Sequence, residues 1–234
     1  MSNTTIGTTE QGDAGLDLSW FERRHEYGGL VLITKRLSPA FIEKAAATNS
    51  IVHATITGWG GTALEPRVPS FQESERLFRE LVDTIGANRV VLRIDPILPT
   101  AEGIARARAV YKILHEDFVP RTRVRISFVD NYPHVRANFK KAGLSPLPYD
   151  FHAPLEQRMS LYTQYFSDAE ICGEPGMPCS GCISSRDADI LGVVGADPRL
   201  KGQRKSCLCI AAKEEIFAKR QPCKHGCLYC YWKA

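Results

Sequence analysis

Four short apolar runs constrain this chain most. Leu30–Thr34 (LVLIT), Ile51–Thr57 (IVHATIT), Val90–Ile94 (VVLRI) and Val124–Val129 (VRISFV) each have the length of a strand. Their near-continuous apolar and β-branched character suits strands covered on both faces, as in a parallel sheet. Helix-like stretches lie between them. Ser38-Pro39 offers an N-cap followed by proline at the first helical position, ahead of AFIEKAAAT. Ser70 and Glu73 have capping-box spacing and open a helix through Ile85, with Gly86 as its stop. Ala101–His115 and Pro154–Phe166 read as further amphipathic helices, and Ala169–Cys172 as a last short strand.

Strand then helix, repeated with right-handed crossovers, gives an α/β fold. No glycine-rich phosphate loop is present, and four or five such units suggest a partial (β/α) barrel spanning residues 18–171. A doubly wound sheet is the other arrangement, and periodicity does not separate the two. In either, function gathers at the C-terminal ends of the strands. Those ends carry Thr34-Lys35-Arg36, Thr57-Gly58-Trp59, Arg93-Ile94-Asp95 and Ser127-Phe128-Val129-Asp130. Polar groups at four strand ends predict one shared mouth. Arg93 and Asp95, two apart on one strand, face the same side.

With 234 residues the chain has room for one domain with a large core. No apolar run approaches the roughly 18 residues that a membrane span needs. The opening MSNTTIGTTEQGDAG lacks the basic start and apolar core of a signal peptide, and residues 1–17 read as a disordered tail. The net charge of +4 is compatible with a phosphate-bearing substrate.

All eight cysteines lie between Cys172 and Cys230. The chain is neither short nor marked for secretion, so the expected compartment is a reducing one, the cytoplasm. Clustered cysteines there point to metal rather than disulfides. Residues 172–234 read as a cysteine-rich segment packed on the same domain. Cys223, Cys227 and Cys230 have the spacing C-x3-C-x2-C. Three thiolates on one tight loop can hold three irons of a 4Fe-4S cube and leave the fourth iron open to a ligand.

This loop, with Tyr229 just before its last cysteine, resembles the signature of radical S-adenosylmethionine enzymes. The resemblance implies a catalytic 4Fe-4S cluster whose open iron binds S-adenosylmethionine. Reductive cleavage of that cofactor then yields a 5′-deoxyadenosyl radical that abstracts a substrate hydrogen. It also implies an electron donor such as flavodoxin or ferredoxin. The superfamily carries its loop after the first strand, whereas here it ends the chain, a permuted order.

A closer resemblance covers most of the chain. ITKR (Ile33–Arg36), TITGWGGTALEPRVP (Thr55–Pro69), RVVLRIDPILPT (Arg89–Thr100), RISFVDNY (Arg125–Tyr132) and the segment Gln203–Trp232 are similar to the bacterial family DUF1848. The strand motifs, the EP…P element and the DP element are also similar to spore photoproduct lyase, which repairs a thymine dimer in DNA. DNA is therefore a candidate partner, and a nucleobase a candidate substrate. By the same resemblance Lys35, Thr57, Gly58, Arg93, Asp95 and Ser127 are expected around the cofactor, with Tyr229 and Tyr132 as catalytic candidates. Cys172, Cys182, Cys207 and Cys209 resemble DUF1848 positions and would hold a second 4Fe-4S cluster or a four-thiolate zinc. Cys179 is then spare. Basic residues Lys201, Arg204, Lys205, Lys213, Lys219, Arg220 and Lys224 surround the cysteines and could face phosphates. A zinc-stabilised nucleic-acid-binding protein without catalysis is the alternative, and an electron-transfer or sensor protein a third reading.

Overall fold

A computed structural model describes residues 3–202, 206–219 and 223–232. Its centre is a seven-stranded parallel sheet in the order β6-β5-β4-β3-β2-β1-β7, curled into a half-barrel. The strands are β1 (Ile6–Thr8), β2 (Gly29–Thr34), β3 (Ser50–Thr55), β4 (Val90–Ile97), β5 (Arg123–Phe128), β6 (Glu170–Ile171) and β7 (Lys213–Glu215). From β1 to β6 each strand pairs with the next, so the chain winds one way. A doubly wound sheet would reverse direction at its middle, and this one does not. The last strand then returns to the far edge, beside β1.

Helices α1 (Pro39–Ala46), α2 (Phe71–Ile85), α3 (Ala101–Tyr111), α4 (Pro133–Lys141), α5 (Leu155–Tyr165) and α6 (Ser185–Ile190) punctuate the strands. Their starts follow the sequence signals. Ser38 accepts from Phe41 N–H and Ser70 from Glu73 N–H, satisfying donors that a helix start leaves orphaned. Gly86 ends α2 at φ +86°, a backbone region that suits a residue without Cβ. The helix expected over Ala101–His115 runs as α3 and then widens into a π-turn over Lys112–Glu116.

Alternation along the strands sorts side chains to two faces. Leu30, Leu32, Val52, Ala54, Val90, Leu92, Val124 and Ile126 pack on the convex side against α1, α2 and α3. Val31, Ile51 and Val91 point to the concave side, where they meet Cys172, Cys182, Cys209 and Leu191. The segment after β6 therefore fills the inside of the half-barrel and carries the chain from one sheet edge to the other.

The expectation of a disordered tail through residue 17 is corrected here. Ile6–Thr8 is a buried strand paired with both β2 and β7. Its surroundings, TTIGTT, are β-branched, a strand signal that a search for long apolar runs passes over. Gly7 is required there, because a Cβ would stand 2.8 Å from the Tyr27 ring. Strand β7 (KEE) and helix α4 were also not expected. A charged edge strand has no apolar signature, and its charges discourage pairing with another chain.

Candidate functional site

The strand ends converge as the sequence suggests. Lys35, which follows β2, ion-pairs through Nζ with Glu65 at 2.8 Å. The same Nζ lies 3.5 Å from the carbonyl of Asp95 and 3.1 Å from the Tyr229 hydroxyl. Tyr229 in turn donates a short hydrogen bond to Glu65. Asp95 accepts from both Arg93 and Ser127. Lys35, Arg93, Asp95, Ser127 and Tyr229 thus belong to one network at the mouth.

Glu65 is the residue that sequence reasoning missed. It is only 1% exposed and receives both Lys35 and Tyr229. A buried carboxylate needs such partners, since desolvating an unpaired charge is costly. Its signal was present in the EP…P element, which marks the turn after β3.

Thr57 and Gly58 end the β3 arm. Thr57 Oγ1 accepts from Trp59 N–H at 3.3 Å. Gly58, at φ +80°, offers its carbonyl to Arg106 of α3 at 2.8 Å. That guanidinium covers the Trp59 ring at 4.4 Å. Gly58 is thus engaged with a helix on the sheet's outer side. Tyr132, just before α4, stacks on His134 at 5.5 Å between ring centres. His134 reaches the cysteine loop through the Cys230 carbonyl at 2.9 Å.

The loop carrying Cys223, Cys227 and Cys230 docks on this mouth from several sides. Leu228 N–H donates to Leu64 O at 3.0 Å, Arg67 to Lys224 O at 3.1 Å, and Asn138 of α4 to Leu228 O at 3.0 Å. His225 is buried and lies 2.8 Å from Asp13. Asp13 also accepts from Thr34 Oγ1 and Lys35 N–H. Burial pushes the Asp13 carboxyl up, but His225, Lys35 N–H and Thr34 outweigh it, and the group lies below the usual carboxylate range. Burial pushes the Cys227 thiol up to about 12, against the pull of Lys35. The charges of Cys223 and Cys230 also bear on it. Three thiols on one short loop, close enough for their charges to act on one another and with the Lys35 cation near Cys227, are a donor set that suits a metal.

The second cysteine group forms inside the half-barrel. Cys172 Sγ lies 3.0 Å and Cys209 Sγ 3.9 Å from Cys182 Sγ. Cys207 and Cys209 share a thiol hydrogen bond. Cys182 accepts from both neighbouring thiols, and those bonds, with the Arg125 and Arg93 charges near, lower its pKa below the usual cysteine range, while the same bonds raise those of Cys172 and Cys209. Glu10 comes within 4.8 Å of Cys182 and Cys209 and pairs with Lys213. Cys179 stands apart, bonded to the backbone of Glu174. Lys213 is thus occupied by Glu10, while Lys201, Lys219 and Lys224 are exposed. Arg204, Lys205 and Arg220 lie outside the described residues.

Fold and thiols together define the class: a parallel β/α half-barrel with one set of thiols in contact inside it and a second, three-cysteine loop docked at its mouth. The family model of a domain of unknown function, DUF1848, matches residues 22–232, and the chain belongs to that family. Comparison with curated proteins gives no match, and neither does comparison with solved structures. Among the described residues no helix is long and apolar enough to cross a membrane.

Proposed function

We propose that this protein is a radical S-adenosylmethionine enzyme whose catalytic cluster is held by Cys223, Cys227 and Cys230. The observation that carries the reading is the docking of that loop on the strand-end mouth, with Lys35 beside its thiols. When bound, a 4Fe-4S cluster supplies an electron to the sulfonium of S-adenosylmethionine at its open iron.

The chain's own residues bind and shield. Lys35 is the cation that would meet the cofactor's carboxylate. Asp95, oriented by Arg93 and Ser127, offers a carboxylate at the same mouth. Tyr229 is buried and tied to Glu65, which suits a positioning residue more than a mobile hydrogen donor. Tyr132 lies at the rim, and hydrogen relay is its candidate role.

For the substrate we propose a nucleobase, within DNA, on the likeness to spore photoproduct lyase. Exposed Lys201, Lys219 and Lys224 near the cysteine segments are compatible with phosphate contact. A duplex base would have to be flipped out to reach the mouth.

The test uses protein reconstituted with iron and sulfide without oxygen. Reduced wild type should form 5′-deoxyadenosine and change its paramagnetic signal on adding S-adenosylmethionine. Cys227→Ala should lose both. Full cleavage by that variant, or none by wild type, overturns the reading. Stimulation of cleavage by thymine-dimer oligonucleotides supports the DNA assignment; turnover indifferent to any nucleic acid removes it.

A further inference from the structure

We propose that Cys172, Cys182, Cys207 and Cys209 hold a single zinc ion that clamps the two open edges of the half-barrel together. The site is independent of the loop at Cys223, Cys227 and Cys230, so it stands or falls apart from the catalytic reading.

Sulfur spacing is the first support. Four thiolates about one zinc at about 2.3 Å form a tetrahedron with edges of about 3.8 Å. Cys182 and Cys209 stand 3.9 Å apart, and Cys172 and Cys182 3.0 Å. In a four-iron cube each thiolate caps a different iron, so the ligand sulfurs lie on the outside of the cube, much further apart. The Cys182–Cys209 contact already has the edge length of a one-ion site, and Cys172 would draw back from Cys182 by about 0.8 Å on binding. Glu10 also comes within 4.8 Å of Cys182 and Cys209, but its carboxylate is paired with Lys213 at 2.6 Å; Cys207, hydrogen-bonded to Cys209, is the thiol we assign as the fourth ligand.

The buried groups around the thiols give the second support. His53 is 0% exposed on the concave face of β3, and neither ring nitrogen has a partner. Arg93 Nε and Arg125 Nε are likewise buried and unpartnered. A buried donor left unsatisfied is costly, and nearly all find an acceptor. Four thiolates on a divalent ion carry net negative charge and present sulfur lone pairs to these N–H groups. Such outer donors commonly orient and tune a metal site. Arg125 is also tied to the cysteine segment directly, donating to Gly181 O at 2.9 Å.

Topology supplies the purpose. Cys172 follows β6 at one sheet edge, and Cys207 and Cys209 precede β7 at the other. Cys182 lies between them in sequence and in space. A parallel sheet that does not close leaves two edges unpaired, and an ion bridging them fixes the curl that shapes the mouth. Because the unfolded chain has no preformed site, metal binding here is also folding free energy.

The experiment measures zinc, iron and sulfide in wild type and in the triple variant Cys223→Ala/Cys227→Ala/Cys230→Ala, both prepared and reconstituted without oxygen. The expected result is one zinc per chain in both proteins, with iron lost from the triple variant. Removing the zinc with a chelator should lower Tm by about 10 °C or more. Cys209→Ala should lose the zinc. Should that variant fail to fold, cobalt-substituted wild type replaces it and should show the intense visible bands of a tetrahedral thiolate site. Iron and sulfide retained by the triple variant would replace the zinc with a cluster and overturn the proposal. So would a triple variant that holds no metal, or cobalt spectra of an octahedral oxygen site.

Discussion

His225 and Asp13 join the two ends of the chain: the ring Nε2 lies 2.8 Å from the carboxylate Oδ2, with both residues buried. Asp13 also holds Thr34 and the backbone of Lys35, so one carboxylate links the N-terminal segment, the end of β2 and the cysteine loop. The lowered pKa of Asp13 sets a sign. Its stabilising share is present above the ordinary carboxylate value of 3.8 and is lost as pH falls through the lower folded value. Loop docking should therefore persist at neutral pH and fail in acid, below about pH 4. Asp13→Asn should undock the loop at neutral pH and remove most of that acid dependence. Alkylation rates of Cys227 in the metal-free protein measure it; equal rates in both proteins at pH 7 would contradict the linkage.

Lys35 and Glu65 form a nearly buried pair at the mouth. Removing Glu65 leaves the ammonium and the Tyr229 hydroxyl without their shared acceptor. Glu65→Ala should destabilise the protein by about 3–5 kcal/mol, as breaking buried pairs does. Lys35→Met leaves the Glu65 carboxylate without its cation and should cost a similar amount, but it should also raise the KM for S-adenosylmethionine about tenfold or more, a charge-assisted contact being worth about 1.5–3 kcal/mol. Denaturant titration and cofactor kinetics separate the two. An unchanged KM would remove Lys35 from the cofactor's site.

Tyr229 distinguishes positioning from chemistry. Tyr229→Phe keeps the ring and loses the hydroxyl that bonds Glu65. The expected outcome is a stability loss of about 1–3 kcal/mol with S-adenosylmethionine cleavage retained within about tenfold. Tyr132→Phe should instead leave stability unchanged and lower product formation. If Tyr229→Phe abolishes turnover at full stability, the hydroxyl acts in the reaction.

Arg158 and Glu174 form a buried ion pair at 2.7 Å, and Glu174 also accepts from Phe128 N–H at the end of β5. Burial pushes the Glu174 carboxyl above its ordinary value, offset in part by Phe128 and Arg158. Glu174→Ala leaves a buried guanidinium unpaired and should cost about 3–5 kcal/mol by denaturant unfolding. A loss below about 1 kcal/mol would place the pair in solvent.

Much of this molecule was legible locally. Apolar runs marked β2, β3, β4 and β5, and the hydroxyls of Ser38 and Ser70 marked where α1 and α2 begin. The spacing Cys223, Cys227, Cys230 marked a thiol loop, and strand-end polarity marked the mouth. Such signals act over a few residues, so the sequence carries them openly. Strand order, the burial of Ile6–Thr8, the pairing of β1 with β7 and the meeting of Cys172, Cys182 and Cys209 were not readable in that way. Nor were Glu65 with Tyr229, or Asp13 with His225 across 212 positions. Those contacts exist only once the sheet curls and brings its distant edges together. No local spacing encodes that closure, because its energy comes from burying both faces of the sheet at once.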